Sequence, residues 1–380
     1  MGPLAGLKVI EIAGIGPAPF GGMMLADLGA DIIRVDRAQN VQDGDPALPP
    51  NDLLNRGRRS IGVDLKNPEG VGVVLDLAAR ADVFIEGFRA GVAERLGIGP
   101  DACLARNPRL VYGRMTGWGQ EGPYASMAGH DINYISVAGA LEPLGRAGGP
   151  PTPPINLIAD FGGGGMLLAF GVLAGVYEAQ RSGRGQVIDA AMVDGSAALM
   201  TMVHSFRAMG IWTDDRGTNM LDTGAHFYDV YETADGKYVS VGAIEPQFYS
   251  ALLQGLELDP DDLPWQHDRE QWPGLKERFA AIFRTRTRDE WCAIFDGTDA
   301  CVAPVLTVPE AVGFPHNVER GTFVELAGVR QPGPAPRFDR TPGEISKPPP
   351  HAGQHTDEIL REAGADDDRI AKLRDLGAVA

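Results

Sequence analysis

The sequence predicts an α/β protein with a Rossmann-like, doubly wound large domain and a smaller α+β domain. Three observations predict it. Short β-branched runs alternate with helical stretches through the first half of the chain. The first of these runs ends in a glycine-rich turn that leads into a helix, as in a βαβ unit. Past residue 222 the texture changes to period-two alternation around a hairpin turn. At 380 residues the chain also exceeds the roughly 250–300 at which single cores stop growing. The division this suggests is a large domain from 1–187 and 325–380, a linker at 188–222 and a small domain at 223–324.

In order, residues 8–13 read as a strand closed by Gly14-Ile15-Gly16. After Pro17 and Pro19 a helix covers 20–28, and the strand 31–35 completes the unit. The pattern repeats with a strand at 60–65, a helix at 68–81 opened by Pro68, and a buried strand at 82–86. A short helix at 90–96 and a strand at 109–115 follow. The apolar helix at 166–178 falls short of the roughly 20 residues a membrane span needs. Residues 185–192 form the next strand or helix entry, and 193–222, rich in Met and small residues, suit a linker. Strands at 226–232 and 237–241 flank Ala234-Asp235-Gly236, with helices at 247–256 and 287–295 and a strand at 301–306. The proline-rich tract 331–350 is an extended strap, after which Thr356 caps a helix at 357–362 and returns the C-terminus to the large domain.

Composition excludes some classes. A formal net charge of −17 argues against nucleic acid or an anionic membrane as partner. Cys103, Cys292 and Cys301 are scattered, without metal-ligand spacing or a disulfide framework. With no signal-peptide pattern, the expectation is a soluble, cytoplasmic protein.

Three groups of residues carry possible chemistry. Gly14-x-Gly16, with Asp36 downstream, approximates a dinucleotide fingerprint, but Pro19 stands where the third glycine belongs, so a scaffold without dinucleotide is expected. Arg56, Arg58, Arg59 and Lys66 form a basic stretch, with Arg37 and Arg89 at strand ends and Arg95 beyond. These suit a phosphate-bearing ligand or a solvated basic face. Gly129-His130-Asp131 and Asp160-Phe161, followed by Gly162 to Gly165, place a histidine and an acid each at a helix start. Such a pair can give and take one proton from opposite sides of a substrate, while backbone N–H groups of the glycine-led helix hold an enolate oxygen. The glycines would let substrate approach closely. Asn156 could orient Asp160, and Glu245, just before Pro246, could fix a histidine tautomer. Taken singly, each of these is more often structural, and His204, His226, His267, His316, His351 and His355 are read as structural.

Longer motifs join these groups. Residues 129–134 (GHDINY), 159–164 (ADFGGG), 185–190 (GQVIDA), 241–249 (VGAIEPQFY) and 295–301 (FDGTDAC) stand in order over nearly the whole chain. They resemble the α-methylacyl-CoA racemase family, a branch of the family III CoA-transferase superfamily. The resemblance implies that His130 and Asp160 are the acid/base pair, supported by Glu245 and Asn156. It implies CoA binding by Arg37, Val63, Asp64, Leu65, Lys66, Arg89 and Arg95, with Gly129, Asp131, Ile132, Asn133 and Tyr134 against the substrate. It implies an interlocked homodimer whose active sites join the large domain of one chain to the small domain of the other. The reaction implied is a 1,1-proton transfer at the α-carbon of a 2-methylacyl-CoA, through an enolate. No metal or redox cofactor is expected, coenzyme A being part of the substrate. Met192, Met200, Met202, Met209 and Met220 would offer a flexible surface for varied acyl chains, although for any one of them ordinary packing is the commoner reading. The alternatives are a CoA-transferase with Asp160 as covalent nucleophile, against which His130 and Glu245 argue, and a non-catalytic acyl-CoA-binding scaffold.

Overall fold

Six short runs pair in parallel, and the burial of most of them on both faces sets the centre of the fold. In the computed structural model, which describes residues 2–42, 44–45 and 47–380, these are β1 (Lys8–Ile12), β2 (Asp31–Arg37), β3 (Arg58–Val63), β4 (Val83–Glu86), β5 (Val111–Thr116) and β6 (Gln186–Ala191). Their order is β3-β2-β1-β4-β5-β6, with every neighbouring pair parallel. Every residue of β3, β4 and β5 is buried, as expected of a parallel sheet covered by helices on both faces. The order reverses between β1 and β4, which opens a crevice at the carboxyl ends of the strands.

The helices follow the sequence patterning with informative exceptions. Patterning starts the first helix at Phe20, but α1 runs Pro17–Asp27. Proline lacks only an N–H that a first turn leaves unused, so the two prolines begin the helix rather than precede it. Next come α2 (Pro68–Ala78), opened by its proline, α3 (Val92–Arg95), α4 (Pro100–Arg106) and α5 (Asp131–Val137). A wide, i→i+5 bonded helix at Leu157–Met166 continues without a break into α6 (Leu167–Ser182). Together they make a 26-residue helix, not the short one patterning gives at 166–178, and by length and composition it could cross a membrane.

The described chain divides into two compact units, 1–138 with 155–199 and 318–380, and 139–154 with 200–317. Residues 188–199, which composition assigns to the linker, are the end of β6 and helix α7 (Met192–Leu199) in the first unit. The second unit holds α8 (Thr201–Ala208) and an antiparallel sheet of β7 (Tyr228–Glu232), β8 (Tyr238–Gly242) and β9 (Val302–Pro304). Packed with it are α9 (Pro246–Gly255), α10 (Trp272–Phe283), α11 (Arg288–Phe295) and α12 (Val308–Gly313). Helix α10 lies in a stretch for which patterning gives no element, and a proline again opens it. Phe227, Tyr231, Leu252, Phe279, Phe283 and Trp291 form this unit's core. His226 lies among them, bonded to the Tyr249 hydroxyl at 2.8 Å and pushed down to about 3 by burial, a structural histidine as expected.

After α13 (Pro315–Arg320) and the hairpin β10 (Phe323–Leu326) and β11 (Val329–Pro332), an irregular strap leads to α14 (Thr356–Glu362) and α15 (Asp367–Asp375). Thr356 is not the N-cap expected of it, since His355 holds that place. Its hydroxyl instead accepts from the Gly62 amide at 3.1 Å and meets the Ala380 carbonyl at 2.7 Å, fastening the chain's end to β3. Ile359, Ile370, Leu373 and Val379 complete the core under β1, β3 and β4.

Candidate active site

The loops that leave β1, β4 and β5 meet the start of the long helix at the crevice. His130 is the N-cap residue of α5, its backbone extended and its side chain exposed. Its amide donates to Asn133 Oδ1 at 3.1 Å, and the Tyr134 hydroxyl donates to the Gly129 carbonyl. The Tyr134 ring is buried edge-on to Trp118, with centroids 4.8 Å apart. Gly117 and Gly129 make room for it, since a Cβ at either would come within 2.2 or 2.7 Å of that ring.

Asp160 is half-buried in the first turn of the wide helix, and its Oδ2 accepts from Asn156 Nδ2 at 3.0 Å. Burial raises its carboxyl above the ordinary 3.8, the Asn156 bond opposes this, the Asp131 charge adds to it and the His130 charge lowers it. Asp131, next to His130, accepts from the Asp160 amide at 2.8 Å, so the two residues stand at the starts of adjoining helices. The Tyr134 phenol is raised first by burial and then by Asp160, and is lowered by Arg89, which places Arg89 in the same field.

Two expectations about the second motif are corrected. Asp131 is buried, not open to substrate, and its Oδ2 accepts from the amides of Ala159 at 2.7 Å and Asp160 at 2.8 Å. It caps the long helix, so those two N–H groups are not available to an enolate oxygen. The glycines serve packing rather than substrate approach. A Cβ at Gly163 would lie 2.6 Å from the Ser196 nitrogen, and one at Gly165 2.5 Å from the Pro17 carbonyl oxygen. They let the helix lie directly on α7 and α1.

The glycine turn after β1, read above as an incomplete nucleotide fingerprint, has a different place. Gly16 has φ +70°, and a Cβ there would stand 3.3 Å from Asp160 Oδ2. Sequence reasoning missed this neighbour of the acid; the signal was a positive-φ glycine at the mouth of the first strand.

The basic stretch separates into two kinds. Arg56 pairs with Asp27, Arg58 with Glu11 and Arg59 with Asp31, Glu358 and Glu362, all with buried guanidiniums. These three hold the fold and offer nothing to a phosphate. Arg37, Lys66, Arg89 and Arg95 are exposed, and none makes an ion pair among the described residues. The Val63–Lys66 turn leaves edge strand β3 beside Arg37, and there the Asp64 amide donates to the Ala378 carbonyl at 2.9 Å and Val63 bridges Val379. Val63 belongs to the core and Leu65 packs on it, while the Lys66 side chain is exposed. Ile132 is exposed beside His130. Glu245, in the second unit, is the exposed N-cap residue of α9, and its side chain caps nothing in its own helix.

Comparison with known proteins agrees with this geometry. The chain is 48% identical to the mouse α-methylacyl-CoA racemase over 97% of its length and 96% of that protein. It is 47% identical to the human enzyme of the same name, with the same coverage of both chains. Among solved structures, a CAIB/BAIF family protein from Brucella suis superposes with a TM-score of 0.82 at 26% identity, covering 95% of this chain and 99% of that one. The family model for CoA-transferase family III matches residues 4–356, and the chain belongs to that family.

Proposed function

We infer that this protein is an isomerase that racemises the α-carbon of 2-methyl-branched acyl-CoA thioesters. The observation that supports the reading is that Asp131, next to His130, accepts from the Asp160 amide at 2.8 Å, so the histidine and the acid start adjoining helices, in a chain 48% identical to a racemase of that name. One of the two takes the α-proton from one face of the thioester, leaving a planar enolate. The other gives its proton to the opposite face and inverts the centre. The pair needs one transferable proton, and each residue is base in one direction and acid in the other. Burial supports Asp160 in this role, because a raised carboxyl pKa brings its proton nearer to exchange at neutral pH. Asn156 orients the acid. The unpaired Arg37, Lys66, Arg89 and Arg95 suit the CoA phosphates.

The proposed active form is an interlocked homodimer in which Glu245 of a second copy fixes the tautomer of His130. What supports it is the uncommitted Glu245 carboxylate, together with the apolar flank of the long helix, where Leu157, Phe170 and Tyr177 are exposed. The test is solvent-deuterium incorporation at Cα of each enantiomer of one 2-methylacyl-CoA. Both enantiomers should exchange and racemise, and Asp160→Asn should stop racemisation. Thioester exchange with a free acid, without α-exchange, would overturn the reading in favour of a covalent CoA-transferase.

A further inference from the structure

The peptide unit that joins Gly129 to His130 is gripped on both edges by the helix that follows it. On one edge the His130 N–H donates to Asn133 Oδ1 at 3.1 Å. On the other the Gly129 carbonyl accepts from the Tyr134 hydroxyl. Tyr134 is itself immobile, 6% exposed and packed edge-on to Trp118 in space left by Gly117 and Gly129. Fixing a peptide plane at both its N–H and its C=O fixes the N–Cα bond of His130. The His130 carbonyl, which accepts from the Asn133 amide at 2.8 Å, restrains rotation about it, so the direction of the Cα–Cβ bond is set. Here that bond carries the exposed imidazole.

We propose that Asn133 and Tyr134 are positioning residues for His130, acting through this peptide rather than by touching substrate. The inference rests on reading His130 as one of two proton carriers. Its consequence is an asymmetry. Asp160 stands on a different helix, oriented by Asn156, and the clamp does not touch it. Loosening the clamp should therefore disable one face of the reaction and spare the other.

The enantiomer deprotonated by His130 is the one whose α-exchange His130→Ala abolishes. For that enantiomer Tyr134→Phe and Asn133→Ala should slow deuterium exchange at least about tenfold, since misplacement by an ångström costs up to about a hundredfold. Exchange of the other enantiomer should fall several-fold less, and an unchanged melting temperature shows that the variants are folded. Asn133→Gln, whose amide can still reach back to the N-cap N–H, should restore most of the loss. Equal loss on both enantiomers, no loss on either, or no rescue by glutamine would overturn the inference. Absence of exchange in the unmodified enzyme would instead overturn the proposed reaction, and the inference with it.

Discussion

Arg58 and Arg89 illustrate how differently one residue type is used. Arg58 and Glu11 are both fully buried, joined at 2.7 Å, and Arg58 also donates to the Pro19 carbonyl at the start of α1. Arg58→Ala strands a buried carboxylate and should lower stability by about 3–5 kcal/mol, read by denaturant unfolding. Arg89 is exposed and unpaired, so Arg89→Ala should leave the melting temperature unchanged and raise KM for acyl-CoA roughly tenfold, the effect of one lost charge-assisted hydrogen bond. A rise in KM for Arg58→Ala without destabilisation would contradict the division. Asn156 allows a sharper test. Its bond to Asp160 Oδ2 lowers a carboxyl pKa that burial raises, so Asn156→Ala should raise that pKa further. The acid limb of kcat/KM, where the pair takes up a second proton, should move to higher pH, and a limb that stays or moves down would remove Asn156 from this role. Spacing made the Asn156–Asp160 contact legible in the sequence, and charge marked the arginines. They did not separate Arg89 from Arg58, because pairing depends on what lies across the fold.

At the scale of elements, the helix from Leu157 to Ser182 carries the acid, and its glycines decide how closely it sits. The contact with α7 is the tightest: a Cβ at Gly195 would come 1.8 Å from the Gly163 carbonyl oxygen. That atom is backbone and cannot rotate away, so Gly195→Ala must push the two helices apart. It should cost about 3 kcal/mol, measured as a lower melting temperature, and should reduce activity through displacement of Asp160. Full stability in Gly195→Ala would show that the helices are not in this contact. Most strands, several helix starts and the hairpin turn at 234–236 were legible from period and proline. Others were not: Pro17 reads as a break yet begins α1, and α4, α10 and the β10–β11 hairpin go unread. The glycine run invites a loop or a substrate surface in sequence, since glycine alone does not say whether its missing side chain makes room for a ligand or for another helix.

For the whole molecule, the proposed composite site makes a prediction about mixtures. If His130 and Asp160 come from one chain and Glu245 from another, chains bearing His130→Ala and chains bearing Glu245→Ala should complement each other when co-expressed. A mixed dimer then has one site with both defects and one with neither, and about half the activity of the unmodified dimer per mixed molecule. No recovery above either parent would mean that each chain builds its own site. The sequence by itself determined the α/β class, the parallel sheet and the membership of CoA-transferase family III, because β-branched periodicity and long motifs are local properties. Only the tertiary structure decided that Asp131 caps a helix, that Arg56, Arg58 and Arg59 are spent on buried carboxylates, and that Gly16 stands against Asp160. Each of those depends on partners brought close from distant parts of the chain, and closeness in space is what residue order does not encode locally.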